Sequence, residues 1–176
     1  MKISEILKGK KTDKANQHSY GDYYDELFSK YDREAPVRIL ELGVQGGGSL
    51  QAWKEYFPNA EVIGVDISDA RWPEYIIPNV AFYKCDLRDF RPEGLFDIII
   101  DDSDHFIGTQ MYIVNNYLKY LKPGGTMVIE DVQAPERDSE MIRQILHKDY
   151  VFDTVDLTTE SGRYDDFLII IKNEIT

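Results

Sequence analysis

Apolar and polar positions alternate along the chain in two different rhythms. Continuous apolar runs at Val37 to Leu42, Glu61 to Asp66, Val80 to Cys85, Phe96 to Asp101, Thr126 to Glu130, Tyr150 to Leu157 and Asp166 to Lys172 predict strands. Between them, Leu50 to Phe57, Thr109 to Leu121 and Asp138 to Leu146 predict helices. Ahead of the first strand, a polar start (Lys8 to Gln17) gives way to Tyr20 to Tyr31, where Tyr24, Leu27, Phe28 and Tyr31 share one helical face. Lys122-Pro123-Gly124-Gly125 is a stop-and-turn signal. Runs as apolar as Ile98-Ile99-Ile100 suit strands buried on both faces, so the alternation predicts an α/β fold. Its mostly parallel, seven-stranded sheet is expected to carry helices on both faces. Thr158 to Arg163 leaves no room for a long crossover helix, so the last two strands are expected to form an antiparallel hairpin at one edge.

The 176 residues predict a single domain over 1–176, with 1–35 as an N-terminal helical segment. The net charge of −12 supplies no basic stripe for a nucleic-acid backbone, which removes nucleic acid as an expected partner. With one cysteine, no apolar stretch of membrane-spanning length and no signal-peptide pattern after Met1, the expectation is a cytoplasmic protein without a membrane partner; a homo-oligomer stays open.

The turn after the first strand reads Glu41-Leu42-Gly43-Val44-Gln45-Gly46-Gly47-Gly48-Ser49. Its glycines let the backbone adopt positive φ and approach a ligand, and the helix that follows begins with unpaired N–H groups. Twenty positions separate Gly46 from Asp66, at the end of the next strand, which suits a carboxylate that grips a ribose diol. The glycine spacing departs from G-x-G-x-x-G, and the carboxylate of Glu41 at the mouth of the strand would repel a pyrophosphate. An adenosine cofactor with a methionine-like ammonium fits better, and the turn resembles motif I of the class I S-adenosylmethionine (SAM) methyltransferases. The bland alternative, a tight turn between a buried strand and a helix, explains three consecutive glycines less well.

In a parallel sheet, ligands bind beyond the carboxyl ends of the strands. Those ends carry Glu41, Asp66, Cys85-Asp86, Asp101-Asp102-Ser103-Asp104-His105 and Glu130-Asp131. So many like charges repel one another unless a cation sits among them. Asp102, Glu130 and Asp131 offer hard oxygen ligands suited to Mg²⁺. The competing reading has these carboxylates capping helices or facing solvent. His105, three residues beyond Asp102, is the candidate general base, with metal ligation as its alternative role; His147 reads as a surface residue.

Thr12-Asp13-Lys14, His18-Ser19-Tyr20, Tyr24, Leu40 to Val44, Gly47-Gly48-Ser49-Leu50, Trp53 to Pro58, Gly64-Val65-Asp66-Ile67, Asp101 to His105 and Val128 to Asp131 together resemble the metal-dependent sugar O-methyltransferases of antibiotic biosynthesis. These are of the mycinamicin and tetracenomycin (elloramycin) type, relatives of proteins labelled cephalosporin hydroxylases. The resemblance implies a Rossmann-like class I methyltransferase fold and an enzyme using SAM and Mg²⁺ to methylate a hydroxyl of a sugar or glycoside. Under it, Asp102, Glu130 and Asp131 hold the metal and His105 is the base. Asp66 holds the ribose, Asp86 and Leu87 flank the adenine, and Glu41, Gly43, Gly47, Ser49, Ile67 and Asp101 complete the SAM site. The family's Asp-Asp-Gly-Ser-His is Asp-Asp-Ser-Asp-His here, which leaves the loop geometry and the ligand set open. A catechol-like diol satisfies the same chemistry. The rival classes are a non-catalytic SAM-binding module and an NAD-dependent oxidoreductase, which the glycine spacing disfavours.

Overall fold

In a computed structural model of the chain, residues 1–68 and 78–174 are described. They form two compact units, Met1–Phe90 and Arg91–Thr176, and their strands belong to a seven-stranded sheet.

The first unit runs α1 (Ile3–Lys8), α2 (Tyr20–Phe28), β1 (Arg38–Leu42), α3 (Gly48–Tyr56), β2 (Glu61–Asp66) and β3 (Val80–Lys84). Its strands lie in the order β3-β2-β1 and are parallel, with Leu40 opposite Ile63 and Ile63 opposite Ala81. Four of the five β1 residues are buried, including Glu41. Aromatic side chains join α2 to α3: the Trp53 ring lies 5.0 Å from Tyr24 and 5.2 Å from Phe28, and Phe28 lies 5.1 Å from Phe57. The periodic stripe of α2 extended to Tyr31, whereas the helix ends at Phe28; Tyr31 still meets Phe57 edge-on at 6.3 Å, so the stripe outlasts the helix. Helix α1 lies in the segment 1–35 expected to be helical, but its bounds carry no sequence signal. Six residues are too few to display a period, yet Ile3, Ile6 and Leu7 are buried and the Ser4 hydroxyl donates to Asp25 of α2 at 2.6 Å.

The second unit runs β4 (Phe96–Asp101), α4 (Ile107–Tyr117), a 3₁₀ turn (Leu118–Tyr120), β5 (Leu121–Ile129), α5 (Pro135–Ile145), β6 (Tyr150–Asp156), the one-turn α6 (Thr158–Ser161) and β7 (Phe167–Asn173). The order is β4-β5-β7-β6: β5 is parallel to β4, and β7 is antiparallel to both β5 and β6. The C-terminal hairpin is therefore present, with Thr154 opposite Ile169 and with β6 at the edge, half-buried or exposed along its length. The Lys122–Gly125 turn lies inside β5 rather than before it. Phe96 pairs with Leu121 and Ile98 with Thr126, so the chain bulges opposite Asp97, where Gly124 takes φ 77° and Lys122 Nζ reaches Asp97 at 2.7 Å. Helix α5 starts three residues earlier than expected, because Pro135 suits the first helical turn and the Asp138 carboxylate accepts the Ala134 N–H at 3.0 Å. Among the described residues, no helix is long and apolar enough to cross a membrane.

Candidate active site

In the first unit, three residues shape the glycine turn. Gly43 leaves β1 at φ 89° with its N–H on the Val65 carbonyl, and Gly47 caps α3 at φ 71°. Gly48 has no room for a side chain, since a Cβ there would lie 2.3 Å from the Lys11 carbonyl oxygen. Asp66 holds the turn from β2. Its Oδ2 accepts the N–H groups of Val44 and Gln45, both at 2.8 Å, and its Oδ1 accepts that of Ser68 at 2.7 Å. A carboxylate offers about four acceptor positions, so Asp66 keeps capacity for a further donor. Ile67 is 72% exposed beside it, while Asp86 and Leu87 are half-buried after β3, with Asp86 accepting the Arg88 N–H at 2.8 Å.

Glu41 differs from the expectation of a ligand-facing carboxylate. It is fully buried; one oxygen accepts the Ser49 hydroxyl and the other the Trp53 indole N–H, each at 2.6 Å, and Lys14 Nζ lies 3.5 Å away. Burying an anion demands such pairing, and here the pairing ties residues 9–19, β1 and the start of α3 together. Lys14 appeared in the sequence only as part of a resemblance; a lysine in a polar segment gives no signal of burial.

In the second unit, Asp102, His105 and Asp131 converge, with one ligand atom of each within 4.8 Å of the others. His105 Nε2 lies 3.4 Å from Asp102 and 3.3 Å from Asp131. Both His105 (φ 60°) and Asp131 (φ 53°) occupy the left-handed region that side chains other than glycine seldom adopt, a conformation the surrounding structure must hold. Asp104, the departure from the family pattern, supplies part of that hold. Its carboxylate accepts the Phe106 N–H at 3.1 Å and the Thr109 hydroxyl at 2.9 Å, which anchors the loop to the start of α4. Glu130 is 1% exposed and lies outside the convergent trio; its backbone N–H pairs with the Asp101 carbonyl.

The bond from Asp102 raises the pKa of His105, burial opposes it, and the charges of Asp131, Asp102 and Asp101 raise it further. Burial pushes Asp101 up to about 7, despite bonds from the Ser103 hydroxyl and N–H, and its Oδ2 is buried without a partner. Two convergent carboxylates, an imidazole drawn to them and an unpartnered buried carboxylate oxygen nearby fit a hard divalent cation. A pH dependence follows for the metal-free protein. Unfolded Asp101 loses its proton near 4, while the folded carboxyl keeps it to about 7. Stability should therefore fall as pH rises through that window and level off above it. Asp101→Asn should flatten this part of the curve in chelator; an unchanged slope in urea titrations would refute the assignment.

No protein-family model matches the chain. It is 36% identical over 135 residues to 8-demethyl-8-alpha-L-rhamnosyl tetracenomycin-C 2′-O-methyltransferase of Streptomyces olivaceus, covering 70% of this chain and 35% of that protein. It is 35% identical over 127 residues to mycinamicin VI 2″-O-methyltransferase of Micromonospora griseorubida, covering 65% of this chain and 32% of that protein. The structure of MycE methyltransferase from the mycinamycin pathway, in complex with Mg, SAH and mycinamycin VI, superimposes with a TM-score of 0.76 at 25% identity, covering 98% of this chain and 54% of that one. The chain thus has the Rossmann-like fold of the class I methyltransferases and is similar in sequence to sugar O-methyltransferases, although it spans only about a third of the length of these two relatives.

Proposed function

We propose that this chain is a SAM- and Mg²⁺-dependent O-methyltransferase acting on a hydroxyl of a sugar or a glycosylated small molecule. The observation that carries the reading is the convergence of Asp102, His105 and Asp131, held by two left-handed backbone positions. Gly43, Gly47 and Ser49 are assigned to the methyl donor, Asp66 to its ribose, and Ile67, Asp86 and Leu87 to its adenine, with Asp101 as a further donor-binding assignment. Glu41 supports this group from within, through Ser49. Asp102 and Asp131 would hold the cation, and Glu130, outside the trio in this structure, would have to turn toward it to serve as the third carboxylate. When bound, the donor supplies an electrophilic methyl group and the cation a positive charge that acidifies a nearby hydroxyl. His105 is the group that takes the hydroxyl proton; with Asp102 and Asp131 turned to the cation, Nε2 would be released from these two carboxylates and its lone pair would be available for the transfer.

The test is turnover of SAM with a methyl rhamnopyranoside or a catechol as acceptor. Methylated product and S-adenosylhomocysteine should form with Mg²⁺, and excess chelator should abolish turnover while leaving SAM affinity nearly intact. Full turnover in chelator would remove the metal from the reading, and SAM binding without product from either diol would favour a non-catalytic SAM-binding module. For the donor site, Asp66→Ala should weaken SAM binding by roughly 1.5 to 3 kcal/mol for each charge-assisted hydrogen bond lost. Calorimetry giving wild-type affinity in the folded variant would sink the ribose assignment.

A further inference from the structure

We infer that Phe106 and Tyr164 form an aromatic platform beside Asp102, His105 and Asp131 that stacks on the ring face of a sugar acceptor; the inference rests on the reading of that trio as the acceptor-activating cluster. Both rings are unusually bare, Phe106 at 72% and Tyr164 at 68% exposure. Scattered exposed hydrophobic residues need no explanation, but these two share a connected frame with the trio. Phe106 directly follows His105, and its N–H is fixed by Asp104 at 3.1 Å. The Tyr164 hydroxyl donates to Gln133 Oε1 at 2.8 Å, and Gln133 Nε2 donates to the Asp131 carbonyl at 3.3 Å, so two hydrogen bonds link the ring to the left-handed residue of the cluster. Arg163 and Asp165 on either side of it form a two-point ion pair, at 3.1 and 3.0 Å. An exposed aromatic ring is ordinarily free to turn; this one is tethered at its hydroxyl and has paired chain neighbours.

A pyranose chair presents one face of C–H bonds with slight positive charge, which matches the negative face of an aromatic ring, while its rim of hydroxyls stays free for other groups. Stacking would orient the ring so that a rim hydroxyl meets His105, and the tether through Gln133 would hold the stacking surface in register with Asp131. The platform therefore selects for the shape of a sugar ring and serves binding rather than proton transfer.

The experiment uses the full chain with Mg²⁺, no methyl donor, and methyl α-L-rhamnopyranoside as probe, read by saturation-transfer NMR and titration. The wild type should saturate the sugar's ring C–H protons. Phe106→Leu, which keeps apolar bulk without a face, and Tyr164→Ala should each weaken binding about tenfold, and Tyr164→Phe two- to threefold. With donor present, the same variants should raise KM by these factors and change kcat less than threefold, with unaltered melting. Equal binding by wild type and variants, no binding by wild type, or a loss of self-association in Phe106→Leu that marks a protein interface would each overturn the platform. Because binding is read without turnover, methyl transfer to catechol by a chain that ignores the sugar overturns only the platform. Sugar binding lost in the variants, with no methylated product from any diol, leaves the platform standing and removes the proposed reaction.

Discussion

His105→Ala should lower kcat by about 10²- to 10⁴-fold, the range expected for loss of a positioned general base, with SAM affinity unchanged. Nε2 lies 3.3 to 3.4 Å from two carboxylates, so the same substitution also asks whether the imidazole is a ligand. If it acts only as a base, the Mg²⁺ concentration giving half-maximal rate should stay put, and part of the rate should return at high pH as the acceptor hydroxyl ionises without help. A large increase in the Mg²⁺ requirement makes His105 a metal ligand instead. Wild-type kcat across the pH range, with single-turnover data placing chemistry as the slow step, refutes both roles.

Glu41→Ala should destabilise the fold by about 3 to 5 kcal/mol, as when one partner of a buried ion pair is removed. The substitution removes the ion pair with Lys14 and leaves the Ser49 hydroxyl and Trp53 indole N–H without the acceptor they share, in a site that is buried. Glu41→Gln keeps an acceptor and similar volume, so it should lose less. Lys14→Met combined with Glu41→Ala should cost less than the sum of the two single substitutions, because the pair between the two side chains is lost in both. Urea denaturation of the wild type, Glu41→Ala, Lys14→Met and the double variant measures this, and additive losses would mean that the two side chains do not interact.

The strand pattern was legible wherever burial on both faces forced a continuous apolar run, as at Ile98 to Ile100. It was legible at the C-terminal edge too, where a short connection allowed only antiparallel pairing. Boundaries slipped where a local signal had another use: Lys122 to Gly125 turns the chain without ending the pairing of β4 with β5, and Pro135 opens a helix whose apolar face begins later. Within the site, the sequence brought Asp102, His105 and Asp131 together because each follows a parallel strand's carboxyl end. It could not tell a carboxylate facing a ligand from one spent internally, since Glu41 is satisfied by Lys14 and Trp53, partners distant along the chain. Asp104 was ambiguous for a similar reason, and its two bonds to Phe106 and Thr109 assign it to the loop's anchorage. Gln133 and Tyr164 carried no sequence signal, because their relation to Asp131 exists only in the folded hydrogen-bond chain.

Trp53 gives this arrangement an optical voice. Its indole N–H is hydrogen-bonded to a carboxylate that also holds the first turn of α3 through Ser49. Indole emission responds to the electric field along the ring, so any rearrangement of the glycine turn should reach the fluorescence spectrum through Glu41 without an attached dye. The chain has two tryptophans, and Trp72→Phe leaves a single one, joined to the start of α3 through Glu41 and suited to stopped-flow tests of whether SAM arrives at the glycine turn.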